Sequence, residues 1–131
     1  MLGRPTEPQE RARRFAPLVF DDLELGCTVR IDARFYQRRK RGQKWTIYKI
    51  EINLSYRELT APLTTGFQDV VRYDCKHYPI EKHEFWRSDR PQDLSELFRG
   101  RSLAEIFEQA YRDVRTNYAC YIKRMRRVAH R

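Results

Sequence analysis

The sequence predicts an α+β fold: an antiparallel sheet of three to four strands packed on a long C-terminal helix. Three observations predict it. Two runs, Thr28–Tyr36 and Trp45–Tyr56, alternate apolar and polar residues around a turn that carries Gly42, as half-buried paired strands do. Shorter β-type runs follow at Phe67–Asp74 and Lys82–Arg87. The C-terminal segment instead repeats its apolar residues at three- and four-residue steps, the period of a helix.

Each element follows from its residues. Residues 1–14 hold Pro5, Pro8 and four arginines with few apolar residues, and are expected to form a flexible basic arm. Residues 15–131 make one domain. Phe15–Phe20 is apolar and is expected to dock on it. In the first alternating run Val29, Ile31, Ala33 and Phe35 point one way, while Arg30, Asp32, Arg34 and Tyr36 point the other. In the second, Tyr48, Ile50, Ile52, Leu54 and Tyr56 share one face, and Lys49, Glu51, Asn53 and Ser55 the other. Thr60–Gly66 is a loop. Val71 and Tyr73 are the expected buried positions of the third strand. Pro79 interrupts the chain before the fourth. Arg90–Asp93 is a breaker, and Leu94–Arg99 forms one helical turn stopped by Gly100. Ser102 and Glu105 form an S-x-x-E capping box. From there Leu103, Ile106, Phe107, Ala110, Val114, Tyr118, Tyr121 and Met125 make an apolar stripe along a helix of six or seven turns.

Composition excludes several classes. The 131 residues suffice for one core. Charged residues are 34% of the chain, above the usual ~25%, so the core is small and the surface heavily charged. No stretch approaches the roughly 18 apolar residues of a membrane span, and the N-terminus lacks an apolar signal core. An integral membrane protein, a secreted protein, a coiled coil and a multidomain enzyme are not expected. Cys27, Cys75 and Cys120 are odd in number and lack C-x-x-C spacing, which fits a reducing, cytoplasmic home.

The charge points to a polyanion. The net charge is +9, and the excess gathers at the front and the tail of the chain. Four consecutive cations, Arg38, Arg39, Lys40 and Arg41, occupy the tip of the first hairpin with Lys44 close behind, flanked by Tyr36 and Trp45. Such a tip fits phosphates, and its aromatics can stack bases. Arg30 and Arg34 extend the footprint along the wet face of the sheet, and Lys123, Arg124, Arg126 and Arg127 at the helix end are expected to join it. Nucleic acid is the expected partner, RNA before DNA. An acidic protein would obey the same physics, and the helix end offers a surface for a homodimer.

The densest chemistry lies between Arg72 and Glu84. His77 and His83 sit six residues apart across the Pro79 turn, with Arg72, Asp74 and Lys76 beside them. RNA cleavage without a metal needs a base for the 2′-hydroxyl, an acid for the leaving oxygen and a cation for the phosphorane. The two histidines would supply acid and base. Arg72 and Lys76 would steady the phosphate, and Asp74 would orient an imidazole. Asp74, His77 and His83 also spell D-x-x-H-x5-H, an alternative set of metal ligands. The primary reading uses neither metal nor cofactor.

The same stretch resembles small bacterial toxin–antitoxin proteins of the TumE type. These carry a Y-D-N-A-type motif on an antiparallel sheet, then a His-rich turn and an H-x-H stretch. Tyr73-Asp74 and His77 match the pattern, and His83 matches one later histidine. Cys75-Lys76 and Glu81 depart from it. The resemblance implies a toxin-like or mobile-element protein directed at RNA, with a cognate antitoxin as a partner. Three functions are thus expected in order: a metal-independent ribonuclease, a non-catalytic nucleic-acid-binding module, and a protein-interaction domain.

Overall fold

The computed structural model describes residues 8–76, 80–87 and 90–129, the side chains of Lys76 and Ala129 excepted. Its strands are β1 (Gln9–Arg14), β2 (Leu18–Asp22), β3 (Cys27–Arg39), β4 (Thr46–Glu58), β5 (Gln68–Lys76), β6 (Glu81–Glu84) and β7 (Gln92–Asp93). One helix, α1 (Leu103–Ala129), follows. The strands form one sheet in the order β1-β3-β4-β5-β6-β7, with β2 also paired to β3, and every pairing is antiparallel.

The α+β class is as expected, but the sheet has seven strands where three to four were expected. The extra ones are short or charged, and their pairing is not visible as periodicity. Gln9–Arg14 is not a free arm: it pairs with Arg34–Arg39 of β3. Two of its arginines are held by neighbours, with Arg11 Nε donating to Gln37 Oε1 at 2.7 Å and Arg14 Nη2 to Asp32 Oδ1 at 3.3 Å. The end of the expected breaker, Gln92–Asp93, pairs with β6 as β7.

β1 and β2 together line one edge of β3, interrupted at Phe15-Ala16-Pro17. Arg14 faces Arg34, but Leu18 faces Ile31, so the edge carries one residue more than β3 across the break. Pro17 cannot donate to a ladder, which suits this irregular position. The long β3–β4 hairpin closes through Gln43 N–H donating to Lys40 C=O at 2.9 Å, with Gly42 at φ 80°. That conformation favours glycine.

The core lies between the sheet and α1. Val29, Ile31, Ala33, Ile50, Ile52, Leu54, Val71 and Tyr73 meet Ile106, Ala110, Val114, Tyr121, Ile122 and Met125 of the helix. The stripe is as expected, with Ile122 as an additional buried position. Ser102 caps the helix as its sequence indicates: Glu105 N–H donates to its Oγ at 3.2 Å, and its hydroxyl donates to Glu105 Oε1 at 3.1 Å. Side by side on the inner seam, Asp113 accepts hydrogen bonds from Tyr73 (2.5 Å), Tyr121 (2.7 Å) and Asn117 (2.7 Å). Lys82 Nζ donates to the Tyr121 hydroxyl at 2.9 Å and lies 3.8 Å from both Asp113 and Glu84.

Candidate nucleic-acid interface

The helix covers the inner face, so among the described residues the outer face of the sheet is left open. Alternation in β3 sends Arg30, Asp32, Arg34, Tyr36 and Arg38 there. Their partners across the ladders are Ser55, Asn53, Glu51 and Lys49 on β4, then Arg72 and Asp74 on β5. His83 of β6 faces Arg72. The expected alignment of Arg30, Arg34, Lys49, Glu51 and Asn53 on one wet face is therefore what the register produces.

One residue moves against expectation. A bulge lies where Tyr36 pairs Lys49 but Gln37 pairs Ile47, leaving Tyr48 as the extra residue of β4. Ile47 thus takes the core-side position, and Tyr48 joins the outer face with Ile50's stripe behind it. The Tyr48 ring lies 6.3 Å from that of Tyr36, and the Arg38 guanidinium lies 4.0 Å from the Tyr48 centroid.

Cations and rings alternate over this face. Lys49 Nζ stands 4.8 Å and the Arg34 guanidinium 5.9 Å from the Tyr36 centroid. Arg57 and Arg30 lie over Phe67 at 4.8 and 5.8 Å. Arg72 lies over Phe85 at 5.4 Å, and the His83 ring stacks on Phe85 at 6.1 Å. Carboxylates hold the cations flat. Arg34 Nε meets Glu51 at 2.5 Å and Lys49 meets it at 3.0 Å, while Arg30 meets Asp32 at 2.9 Å. Burial pushes the Glu51 carboxyl up, but Lys49 and Arg34 outweigh it, and its pKa falls below the ordinary value. The same contacts raise Arg34 and Lys49, so both remain cations. An open basin of about 460 Å³ lies at the centre, lined by Arg14, Asp32, Arg34, Glu51, Arg72 and Asp74 among others. Charges nearly balance within the basin. The positive excess lies toward the hairpin tip.

Of the expected catalytic residues, the structure brings three together. His83 Nε2 is 3.5 Å from Asp74 Oδ2, and Arg72 is the cross-strand partner of His83. Lys76 ends β5 opposite Lys49, with its side chain outside the described atoms. His77 lies outside the described residues, and with it the D-x-x-H-x5-H reading. Among the described residues no group of three His, Cys, Asp or Glu is placed to hold a metal ion.

The expected binding residues divide. Arg30, Arg34 and Arg38 are on the open face, and Lys40, Arg41 and Lys44 are exposed at the tip. Arg39 turns to the inner side, where it and Arg11 lie over the Trp45 ring at 4.4 and 4.0 Å. The helix end does not join this footprint. Arg126 makes a two-pronged bond to Glu58, 2.7 Å at each prong, at the end of β4 far from the tip. Twelve residue-to-residue steps span β3 from Cys27 to Arg39, about 40 Å at ~3.3 Å per step. Lys123, Arg124 and Arg127 are exposed on that distant end, and Arg124 lies 5.8 Å from the Trp86 ring.

Sequence reasoning missed Tyr48, Phe67 and Phe85 on the outer face and the Asp113 seam on the inner one. The seam had a signal: Asp113, Asn117 and Tyr121 follow each other at four-residue steps on one helix face. Comparison with protein-family models, with curated proteins and with solved structures finds no match for this chain. No helix is long and apolar enough to cross a membrane, among the described residues.

Proposed function

We propose that the protein binds single-stranded RNA on the open face of its sheet. The observation that carries this reading is the alternation of cations with rings: Arg38 on Tyr48, Lys49 and Arg34 on Tyr36, Arg72 on Phe85. Phosphates follow the cations, and unpaired bases lie on rings or on guanidinium planes. A single strand presents both features at once, whereas a duplex hides its base faces. The hairpin tip, with Lys40, Arg41 and Lys44, supplies the field that draws the strand in. The toxin-type resemblance around Tyr73-Asp74 is compatible with an RNA target and adds no mechanism.

A salt titration with labelled single-stranded and duplex RNA tests this. The single strand is expected to bind more tightly. Replacing Arg34, Arg38 and Arg72 together by Gln should weaken binding and reduce the steepness of its salt dependence. Unchanged affinity in the triple variant would sink the reading.

Cleavage is the second reading, favoured by the Asp74–His83 pair beside Arg72. In it one histidine takes the 2′-hydroxyl proton, the oxygen attacks phosphorus, and the other histidine protonates the departing 5′-oxygen, leaving a 2′,3′-cyclic phosphate. His83→Ala and His77→Ala should each abolish cleavage in EDTA while RNA affinity persists. Intact RNA with the wild-type protein leaves binding as the function.

A further inference from the structure

The inner face of the sheet is wider than the helix that covers it. Tyr121 and Asp113 of α1 reach toward β5 and β6, and Phe107 reaches Phe35 of β3. Beyond lies the β1–β2 edge, which α1 touches at its β2 half through Tyr118, whose ring meets Phe20 at 5.4 Å and whose hydroxyl donates to Asp22 at 2.7 Å. Leu18 and Phe20 face Ile31 and Val29, so they belong to the inner face, yet they remain 39% and 37% exposed. Phe15 at the break is 46% exposed. Its ring meets Phe35, Phe107 and Tyr111 at 5.7 to 6.0 Å. A groove of about 720 Å³ runs here between the helix flank and the edge, bounded by Phe15, Phe107, Tyr111, Arg112 and Arg115.

We propose that this groove receives an acidic amphipathic helix of a partner protein. Width argues for a helix. Neighbouring strands are about 4.8 Å apart and packed helices 8–10 Å apart, so a helix beside α1 would lie over the exposed β1–β2 edge. The floor and wall are aromatic, which suits an apolar stripe. Charge argues for acid. Arg112 and Arg115 stand along the helix flank, with Arg115 5.4 Å from the Tyr111 ring, and Arg13 faces Phe35 across the ladder. Among the described residues that line the groove Glu108 is the one carboxylate, and it pairs with Arg112 at 3.6 Å. A second copy fits poorly. A two-fold contact would bring together two copies of the same arginine-bearing groove, each from a chain that carries +9. The groove is on the face opposite the proposed RNA surface, so the inference stands apart from that reading.

Two synthetic helical peptides with one leucine stripe test it, one flanked by glutamates and its twin by lysines. Fluorescence anisotropy with the full chain should detect the glutamate peptide and not the lysine twin. Arg112→Gln with Arg115→Gln should weaken the glutamate peptide about tenfold, as should Tyr111→Ala, with RNA affinity unchanged in the arginine variant. Equal binding of the twins would overturn the proposal, and so would absence of binding. Sedimentation showing a dimer that Tyr111→Ala dissolves would assign the groove to a second copy instead.

Discussion

The Tyr73 hydroxyl donates a 2.5 Å hydrogen bond to Asp113, joining β5 to the helix across forty residues of sequence. The next residue, Asp74, points to the other face and meets His83. On β6, Lys82 likewise turns inward to Asp113 and His83 outward to Asp74. The buried seam therefore holds the two strands whose neighbouring residues form the outer pair.

Asp113→Ala is expected to cost about 2–4 kcal/mol in urea unfolding, because two tyrosine hydroxyls lose their acceptor and Lys82 loses an ion-pair partner in a half-buried site. The pH dependence has a definite sign. Burial pushes the Asp113 carboxyl up, but bonds from Tyr73, Tyr121 and Asn117 with the Lys82 charge bring it below its ordinary value. A carboxyl that is more acidic folded than unfolded stabilises above the unfolded value and loses that contribution as pH falls through the folded one. The advantage of wild type over Asp113→Asn should therefore be flat from pH 7 to about 5 and shrink below about 4.

Tyr36→Ala with Tyr48→Ala should weaken single-stranded RNA by about 1–3 kcal/mol per stacked base. Duplex RNA should be far less affected. Equal losses on both ligands in a filter or anisotropy assay would mean that the rings serve only to pack the arginines.

Arg126→Gln should lower stability, by up to about 1 kcal/mol, and leave RNA affinity within about twofold. Arg126 and Glu58 fasten the end of α1 to the end of β4. A large loss of RNA affinity with unchanged melting would instead return the helix end to the binding surface.

Thiol reactivity should separate the three cysteines. Cys27 is fully buried, and burial pushes its thiol up to about 11; Cys75 is also buried and raised by burial. Cys120 is exposed. Titration with a disulfide reagent near pH 8 should modify Cys120 quickly, and Cys27 and Cys75 only on unfolding. Fast loss of all three thiols would contradict the packing around β3 and β5.

The sequence carried the middle and end of the fold and little of its edges. Alternation in Thr28–Tyr36 and Trp45–Tyr56 is legible because one face of each strand is buried and the other wet. The stripe from Leu103 to Met125 is legible for the same reason at another period. Gln9–Arg14 was not, since an edge strand rich in arginine carries no apolar face to alternate. Tyr48 takes the face opposite to the one its alternation predicts, because a single bulge inverts every residue beyond it and no local composition marks that site. For the site, Arg34, Arg38, Arg72, Asp74 and His83 were visible as residue types. Their common surface depends on the β4–β5–β6 register, which arises from long-range packing. The cations of the helix end looked equivalent to those of the tip, yet about 40 Å of strand divides them.

The interrupted edge at Phe15-Ala16-Pro17 bears on how this chain behaves when concentrated. An unbroken edge strand offers a continuous row of amides and carbonyls on which another chain can grow. Here the register slips by one residue midway, and a proline withholds a donor. The half beyond the slip is short, and the other half is studded with arginines. A strand that matched one half would be out of step with the other. The edge is thus built to resist the stacking that leads to fibrils, and Pro17→Val is the change that would weaken this safeguard.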